Sequence, residues 1–443
     1  MLVEFSVKNF RSFRDEQRLS MVASSDKSLP TNLIKTVALR TPLTRSAVIY
    51  GPNAAGKSNL VLAFQYVCRL VLSSAKQAPT SDEAGSFGVL QVQPFLFDTQ
   101  SAIESSQFTL TFIEAETRYE YGFRLDKLAI QEEWLFAYTN GRAQRWFERT
   151  RLENGQYDWY FGSKLRGEKQ RFADITRADV LFLSLAATLN NPQLTAVYGW
   201  FAKRLRVITH QTSPISLERF TAQKALHDTA FHQRITQLLK AADLRISGFT
   251  THEVPLEHDP RLAKMPTEIA DALRTIAQAR LDVEMHHDVE GLAEPIALKK
   301  EEESLGTQRL FTIAGPLLDA LLYGRVLVVD ELDDSLHPLL VRQIIELFHD
   351  PAVNRHDAQL IFNTHDATLL DIQLFRRDQI WFVERDNRDN SRLYPLSDYS
   401  PRNKESLMRG YLYGRYGALP IVNALRESAL PYKITEQMDD DQE

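Results

Sequence analysis

The segment Gly51-Pro-Asn-Ala-Ala-Gly-Lys57-Ser58 constrains this chain more than any other, because it matches G-x-x-x-x-G-K-[ST] at every fixed position. A short apolar run, Ala47–Tyr50, precedes it, and the apolar stretch Leu60–Leu72 follows. The order predicts a strand, a glycine-rich turn and a helix. Such a turn lets successive backbone N–H groups converge on phosphate oxygens, and the helix N-terminus adds a favourable dipole. Asn53, Ala54, Ala55, Gly56, Lys57, Ser58 and Asn59 are therefore candidate nucleotide contacts. Lys57 supplies a point charge to the β- and γ-phosphates, and the Ser58 hydroxyl is a natural Mg²⁺ ligand. The turn alone does not separate a kinase, a GTPase, a helicase or another ATPase.

The second half of the chain narrows the choice. Val326-Leu-Val-Val-Asp330-Glu331 delivers two acids at the end of an apolar strand, about 270 residues after the turn. In a fold of this kind the first acid sits near Mg²⁺ and the second orients and deprotonates the attacking water. The gap demands a large insertion between two halves of one nucleotide-binding fold. Downstream, Gln359-Leu-Ile-Phe-Asn-Thr-His365-Asp366 is another apolar strand ending in a polar cluster. His365 is placed there to touch a γ-phosphate and report its loss. Upstream, Ser304, Gly306 and Thr307 precede an apolar helix. A serine at a helix start caps it, and a following glycine leaves room for a phosphate. From 304 onward helix and strand alternate, as in a parallel α/β sheet.

Elsewhere the patterns are plainer. Val3, Phe5 and Val7 alternate with polar residues, and a second strand is expected over Leu19–Ala23. Phe108–Phe161 reads as a β meander, with hairpin turns at Asn140-Gly141 and Asn154-Gly155. Its aromatic residues fit sheet faces better than base-stacking platforms. Helical character begins near Asp174, where Leu181, Leu185 and Leu189 recur every four residues before a break at Pro192. Further helices are expected at 216–242 and 266–280, without sustained heptads. The expected division is a first part of the nucleotide-binding head at 1–165, a mainly helical insertion at 166–300, the second part of the head at 301–425 and an acidic tail at 426–443.

Composition excludes several classes. Apolar residues make up 44% of the chain, enough for a core, and a single cysteine, Cys68, rules out a disulfide scaffold and fits a reducing compartment. The net charge of −6 leaves nucleic-acid binding to a local patch. One such patch interleaves Arg142, Arg145, Arg149, Arg151, Lys164, Arg166, Lys169 and Arg171 with Trp146 and Tyr160, but Glu148, Glu153, Asp158 and Glu168 dilute it. A solvated hairpin face describes it better. The opening MLVEFSVKNFRSF is charged where an export signal is apolar, and Leu60–Leu72 is interrupted by Gln65 and Arg69 and too short for a bilayer. A soluble, cytoplasmic chain with no membrane association is expected. His286-His287-Asp288 fits a solvated loop or strand end, and no zinc-type spacing of cysteine and histidine occurs.

The order of these motifs resembles the heads of ABC/SMC-type ATPases. More narrowly it is similar to the compact prokaryotic AAA15-type (AAA_21) ATP-binding proteins, RloA-like ATPases among them. VKNFRSF looks like their first strand, GPNAAGKSNL their Walker A, ESLGTQRL their signature, VLVVDELDDSLHP their Walker B and D-loop, and FNTHD their switch histidine. The stretch from Tyr411 to Pro420 is also similar. The resemblance covers about 1–125 and 300–425. It implies an α/β ABC/SMC-type P-loop NTPase head with a β-meander lobe and a mainly helical insertion. It also implies ATP and Mg²⁺ as cofactors, with Ser58 and Asp330 as metal ligands and Glu331 and His365 as catalytic residues. ATP would be sandwiched in a homodimer or higher homo-oligomer, where Ser304, Gly306 and Thr307 of one head face the γ-phosphate held by Lys57 of another, with Asp334 to His337 at that interface. For the family's glutamine-bearing loop, Gln131 and Gln93 are both candidates. Relatives often belong to anti-phage or abortive-infection modules with an effector protein from a neighbouring gene, such as an RloB-like or TOPRIM protein.

Three functions then compete. The favoured one is an ATPase whose nucleotide-dependent dimerisation regulates a partner effector. The alternative is a RecF/SMC-like DNA-repair or DNA-sensing ATPase, for which DNA is a possible but less favoured partner. A fused nuclease fares worst, since fewer than 80 residues follow His365.

Overall fold

A computed structural model of the chain describes residues 1–76, 90–139, 141–242, 246–255, 266–267, 279–399 and 406–419. The acidic tail, Asn140 and most of the helix expected at 266–280 lie outside the described residues, and Ala279 and Arg280 at its end begin a strand instead.

The chain opens with β1 (Leu2–Lys8) and β2 (Gln17–Ser20), an antiparallel pair. A small ladder of β3 (Leu33–Ile34) and β4 (Leu43–Thr44) precedes β5 (Ser46–Tyr50), and the glycine-rich turn leads into α1 (Lys57–Ser73). The expected meander follows as β6 (Ser106–Glu114), β7 (Thr117–Leu125), β8 (Ile130–Thr139), β9 (Arg142–Arg151) and β10 (Tyr157–Phe161). It extends β1 and β2 into a seven-stranded antiparallel sheet ordered β10-β9-β8-β7-β6-β1-β2. At Asn154-Gly155 the connection runs from Leu152 to Gln156, and of the two residues only Gly155 takes positive φ, 81°. The wider loop relieves asparagine of the left-handed conformation that a two-residue turn would impose.

The next segment is helical in α2 (Lys169–Asp174), α3 (Phe182–Thr188), α4 (Pro192–Lys203), α5 (Pro214–His227) and α6 (Thr229–Ala241). Pro192 both ends the preceding pattern and starts α4, with the Asn191 side chain accepting from the Leu194 N–H at 3.1 Å. This segment also carries strands beyond those read from sequence. They are β11 (Leu205–Ile208) and the antiparallel sheet of β12 (Ile246–Pro255), β13 (Ala279–His287) and β14 (Ile296–Lys299).

The rest of the chain supplies α7 (Leu305–Tyr323), β15 (Val326–Val329), α8 (Pro338–His349), β16 (Gln359–Asn363), β17 (Ile380–Arg385), β18 (Ser391–Pro395) and α9 (Leu407–Leu412). A six-stranded sheet ordered β11-β15-β16-β5-β17-β18 unites the two chain ends, parallel except for the β17–β18 pair. Strand β5 sits between β16 and β17, so the glycine-rich turn and both later motifs emerge along one edge.

Every residue of β5 is buried, as a central parallel strand covered on both faces requires. Ala47 and Ile49 join the core shared with α1 and the meander sheet, while Val48 and Tyr50 join the core shared with α7 and α8. Helix α1 thus lies between the two sheets, its Phe64 ring 3.9 Å from that of Phe5 on β1. Gln359 ties the sheets directly: its Oε1 accepts from the Leu2 N–H at 2.6 Å, and its Nε2 donates to the Leu2 and Thr44 carbonyls at 3.1 and 3.2 Å.

Candidate nucleotide site

The glycine-rich loop turns tightly because two of its residues take left-handed backbone, Ala54 at φ 63° and Gly56 at φ 113°. Gly56 is also forced by space: a Cβ there would meet Ser391 Oγ at 2.5 Å and Ser12 Oγ at 2.7 Å. The loop frames a cleft of about 600 Å³ lined by Asn53, Ala54, Ala55, Gly56, Lys57, Ser58 and Asn59, together with Glu331, His365 and Arg385. Lys57 is buried, and its ammonium donates to the Gly51 carbonyl at 2.8 Å and the Pro52 carbonyl at 3.1 Å. Burial pushes its pKa down to about 8, against the opposing pull of Glu331, Asp330 and Asp333. Asn59 donates to Ser12 Oγ at 2.8 Å, which anchors the start of α1 to the first strand's loop.

Strand β15 delivers the two acids to the same edge. Asp330 is buried and held from two sides, by Asn363 Nδ2 on Oδ1 at 2.5 Å and by His210 Nδ1 on Oδ2 at 3.0 Å. Glu331 adopts φ 52°, and its N–H donates to Asn363 Oδ1 at 2.5 Å. That conformation costs a non-glycine residue roughly 1–2 kcal/mol, and it turns the Glu331 carboxylate into the cleft. His365 follows β16, its N–H donating to Asp333 Oδ2 at 3.2 Å, and its Nε2 lies 3.9 Å from Glu331 Oε1. Burial and the nearby Lys57 ammonium hold the His365 imidazole below its ordinary range, against the acids around it. It therefore enters the cleft as a neutral ring that can donate or accept.

The Ser58 hydroxyl and the Asp330 carboxylate offer hard oxygen donors of the kind Mg²⁺ takes alongside waters and phosphates. The Asn363 and His210 contacts orient that carboxylate as outer-shell partners do in metal sites. The residues present thus fit the ion. Among the described residues no group of three or more His, Cys, Asp and Glu could hold a metal by itself.

Ser304, Gly306 and Thr307 do not line this cleft. Ser304 caps α7, its Oγ accepting from the Thr307 N–H at 3.2 Å. Gly306 borders a different cleft of about 530 Å³, with Ser335, Leu336 and His337. A Cβ on Gly306 would meet the Ser335 carbonyl at 3.0 Å, so the signature turn and the Asp334–His337 loop abut. Leu305 and Leu339 flank this face and are exposed.

Several residues of the site were not singled out from sequence. His210 and Asn363 brace Asp330, Ser12 and Ser391 brace the loop, and Arg385 lines the cleft. Asn363 carried a signal, since it ends the apolar run of β16. His210 carried none, because β11 is four residues long and follows α4 almost directly. Neither glutamine candidate lines the cleft: Gln131 donates to Asp126 Oδ2 at 2.6 Å, and the Gln93 carbonyl accepts from the Arg11 N–H at 2.8 Å.

The basic patch is not a uniform surface: one of its arginines is buried, two make exposed ion pairs, and Arg142, Lys164 and Arg166 are exposed. Arg149 is fully buried against Glu133 at 2.9 Å, Arg145 pairs with Glu148 at 2.9 Å and packs 3.4 Å from the Tyr160 ring centroid, and Arg171 pairs with Glu168 at 2.9 Å. His287 Nε2 lies 2.5 Å from Glu303 Oε1. Among the described residues no helix is long and apolar enough to cross a membrane.

A largely parallel sheet that sets a G-x-x-x-x-G-K-S loop beside an acid pair and a histidine is the arrangement of a P-loop nucleotide-binding domain. The family model AAA_21, described as "AAA domain, putative AbiEii toxin, Type IV TA system", matches residues 46–371, and the chain belongs to that family. No curated protein matches the chain. Similar solved structures include an SMC head bound to the C-winged helix domain of ScpA, at 13% identity and TM-score 0.39, covering 89% of this chain and 97% of that one. The SMC head domain from Thermotoga maritima has 14% identity and TM-score 0.38, with 89% and 98% covered. An SMC head with an extended coiled coil, bound to the C-terminal domain of ScpA and derived from Pyrococcus furiosus, has 11% identity and TM-score 0.40, with 94% and 98% covered.

Proposed function

We propose that this chain binds ATP with Mg²⁺ in the Lys57 cleft and hydrolyses it when a second copy closes the open side, and that the resulting dimerisation regulates a partner effector in cytoplasmic anti-phage defence. One observation carries the reading: Lys57, Glu331 and His365 line one cleft, while the Ser304–Thr307 turn, a helix N-terminus whose dipole suits a γ-phosphate, borders another. In a head-to-head dimer that turn supplies the missing wall. Lys57 leaves its loop carbonyls for the β- and γ-phosphates. Bound Mg²⁺, held by Ser58 and Asp330, would offset phosphate charge. Glu331 takes a proton from water as the water oxygen bonds to the γ-phosphorus and the bond to the ADP oxygen breaks. His365, 3.9 Å from Glu331, would contact the γ-phosphate. The defence role draws support from the family's description as a putative AbiEii toxin of a type IV toxin–antitoxin system. The RecF/SMC-like alternative draws less, because acids are interleaved with the basic patch and Arg149 at its centre is buried against Glu133.

Glu331→Gln is expected to bind ATP while slowing hydrolysis at least about 100-fold, because an amide orients water but is a poor base. Lys57→Ala is expected to lose nucleotide binding. Wild-type turnover by Glu331→Gln would show that another group is the base.

A further inference from the structure

The turn between β17 and β18 is fastened to the back of the glycine-rich loop. Ser391 Oγ donates to the Ala55 carbonyl at 2.5 Å, and the Ser391 N–H donates to the Ser12 carbonyl at 2.8 Å. A Cβ on Gly51 would overlap the Val383 carbonyl at 2.2 Å, so β17 and the loop are in direct backbone contact there. Arg385 is the last residue of β17 and lines the nucleotide cleft alongside Asn53–Asn59, Glu331 and His365. Its ion pair with Asp389, four residues on, spans 3.4 Å with both side chains well exposed. Exposed pairs of this kind contribute little, so the guanidinium is readily redirected.

The charge of the cleft calls for such a group. The Lys57 ammonium faces Glu331, Asp330 and Asp333, all of which act on it. A Mg²⁺-bound triphosphate still carries excess negative charge, more than Lys57 alone offsets. A guanidinium is planar, always charged and matched to phosphate oxygens in a two-pronged contact.

We propose that Arg385 is a second cationic contact of this cleft, made to the phosphate chain of the nucleotide. The strand end that carries it is paired with Ser391, so the guanidinium approaches from a braced base. The inference rests on the nucleotide reading above, and its test separates the two.

The affinity of the full chain for ATP and for inorganic triphosphate, each with Mg²⁺, is measured by calorimetry for wild type, Arg385→Gln, Arg385→Lys, Asp389→Asn and Lys57→Ala. Thermal melting confirms that each variant folds. Arg385→Gln is expected to weaken both ligands at least about tenfold, the effect of losing a charge-assisted hydrogen bond. Arg385→Lys recovers part of the loss, and Asp389→Asn binds at least as tightly as wild type. If Lys57→Ala loses binding while Arg385→Gln binds both ligands like wild type, Arg385 serves only its pair with Asp389 and the inference is overturned. If Arg385→Gln weakens ATP but not inorganic triphosphate, the contact is to the nucleoside and the phosphate assignment is overturned. If neither Lys57→Ala nor Arg385→Gln changes binding, the nucleotide reading of the cleft fails with it.

Discussion

His349, near the end of α8, has its imidazole buried beside β5, where Nε2 lies 2.7 Å from Ser46 Oγ and 3.4 Å from Gln379 Nε2. Gln379 Nε2 is a donor, so Nε2 of the ring acts as acceptor and the proton sits on Nδ1. Burial pushes the His349 pKa down to about 3, and the neighbouring Arg45 adds to the shift. The unfolded chain binds a proton near pH 6.5 that the folded chain refuses. Stability from this residue is therefore complete above about pH 6.5 and is lost as pH falls toward 3. Within that window the slope approaches about 1.4 kcal/mol per pH unit. His349→Gln is expected to flatten the acid limb of a urea-midpoint profile, and parallel profiles for the two proteins would refute the assignment. Asn363 acts at the same scale with a functional consequence. It bonds both the Asp330 carboxylate and the Glu331 N–H, so Asn363→Ala is expected to lower turnover more than ATP binding, read as kcat against the ATP dissociation constant.

Glu133 on β8 joins two elements that the sequence separates. Its carboxylate is fully buried, accepts from the Phe182 and Leu183 N–H groups at the start of α3 at 2.8 and 3.0 Å, and pairs with Arg149 of β9 at 2.9 Å. Arg149 in turn donates to the Val180 carbonyl at 2.6 Å and lies against the Tyr157 and Trp159 rings. The meander sheet thereby caps α3. Glu133→Ala leaves a buried guanidinium unpaired and is expected to cost about 3–5 kcal/mol, whereas Glu133→Met with Arg149→Met recovers much of that. Chemical denaturation of the three proteins checks this, and a single variant as stable as wild type would contradict it. The elements themselves differed in legibility. Strands β5, β15 and β16 stood out because central parallel strands are continuous apolar runs, each ending in a chemically distinctive residue. Strand β11 did not, because Leu205-Arg-Val-Ile is short and Arg206 breaks its apolar run. Its place beside β15 is set by a ladder to residues about 120 positions away, which no local pattern encodes. His210 and its hold on Asp330 were hidden for the same reason. Arg149 read as part of a basic surface because its partner is on a neighbouring strand.

Across the whole molecule, strands from both chain ends, with β11 from between them, build one sheet. The pairing of β5 with β16 and β17 brings Lys57, Glu331 and His365 to one cleft, and sends the Ser304 turn to another face. On the proposed reading, a domain so arranged would hold nucleotide with one wall absent, and dimerisation that supplies the wall would make hydrolysis and assembly one event, readable by a partner. Mixing Ser304→Arg with Lys57→Ala subunits is expected to restore part of the ATPase rate, because each mixed dimer keeps one intact composite site. No recovery in verified mixed dimers would count against the arrangement in trans. The central claim is tested most directly by the solution mass of Glu331→Gln at micromolar concentration, by sedimentation equilibrium with and without MgATP. The account predicts that ATP shifts the protein to a dimer or larger assembly, and that adding Ser304→Arg abolishes the shift while nucleotide still binds. A Glu331→Gln protein saturated with ATP and still monomeric would contradict it.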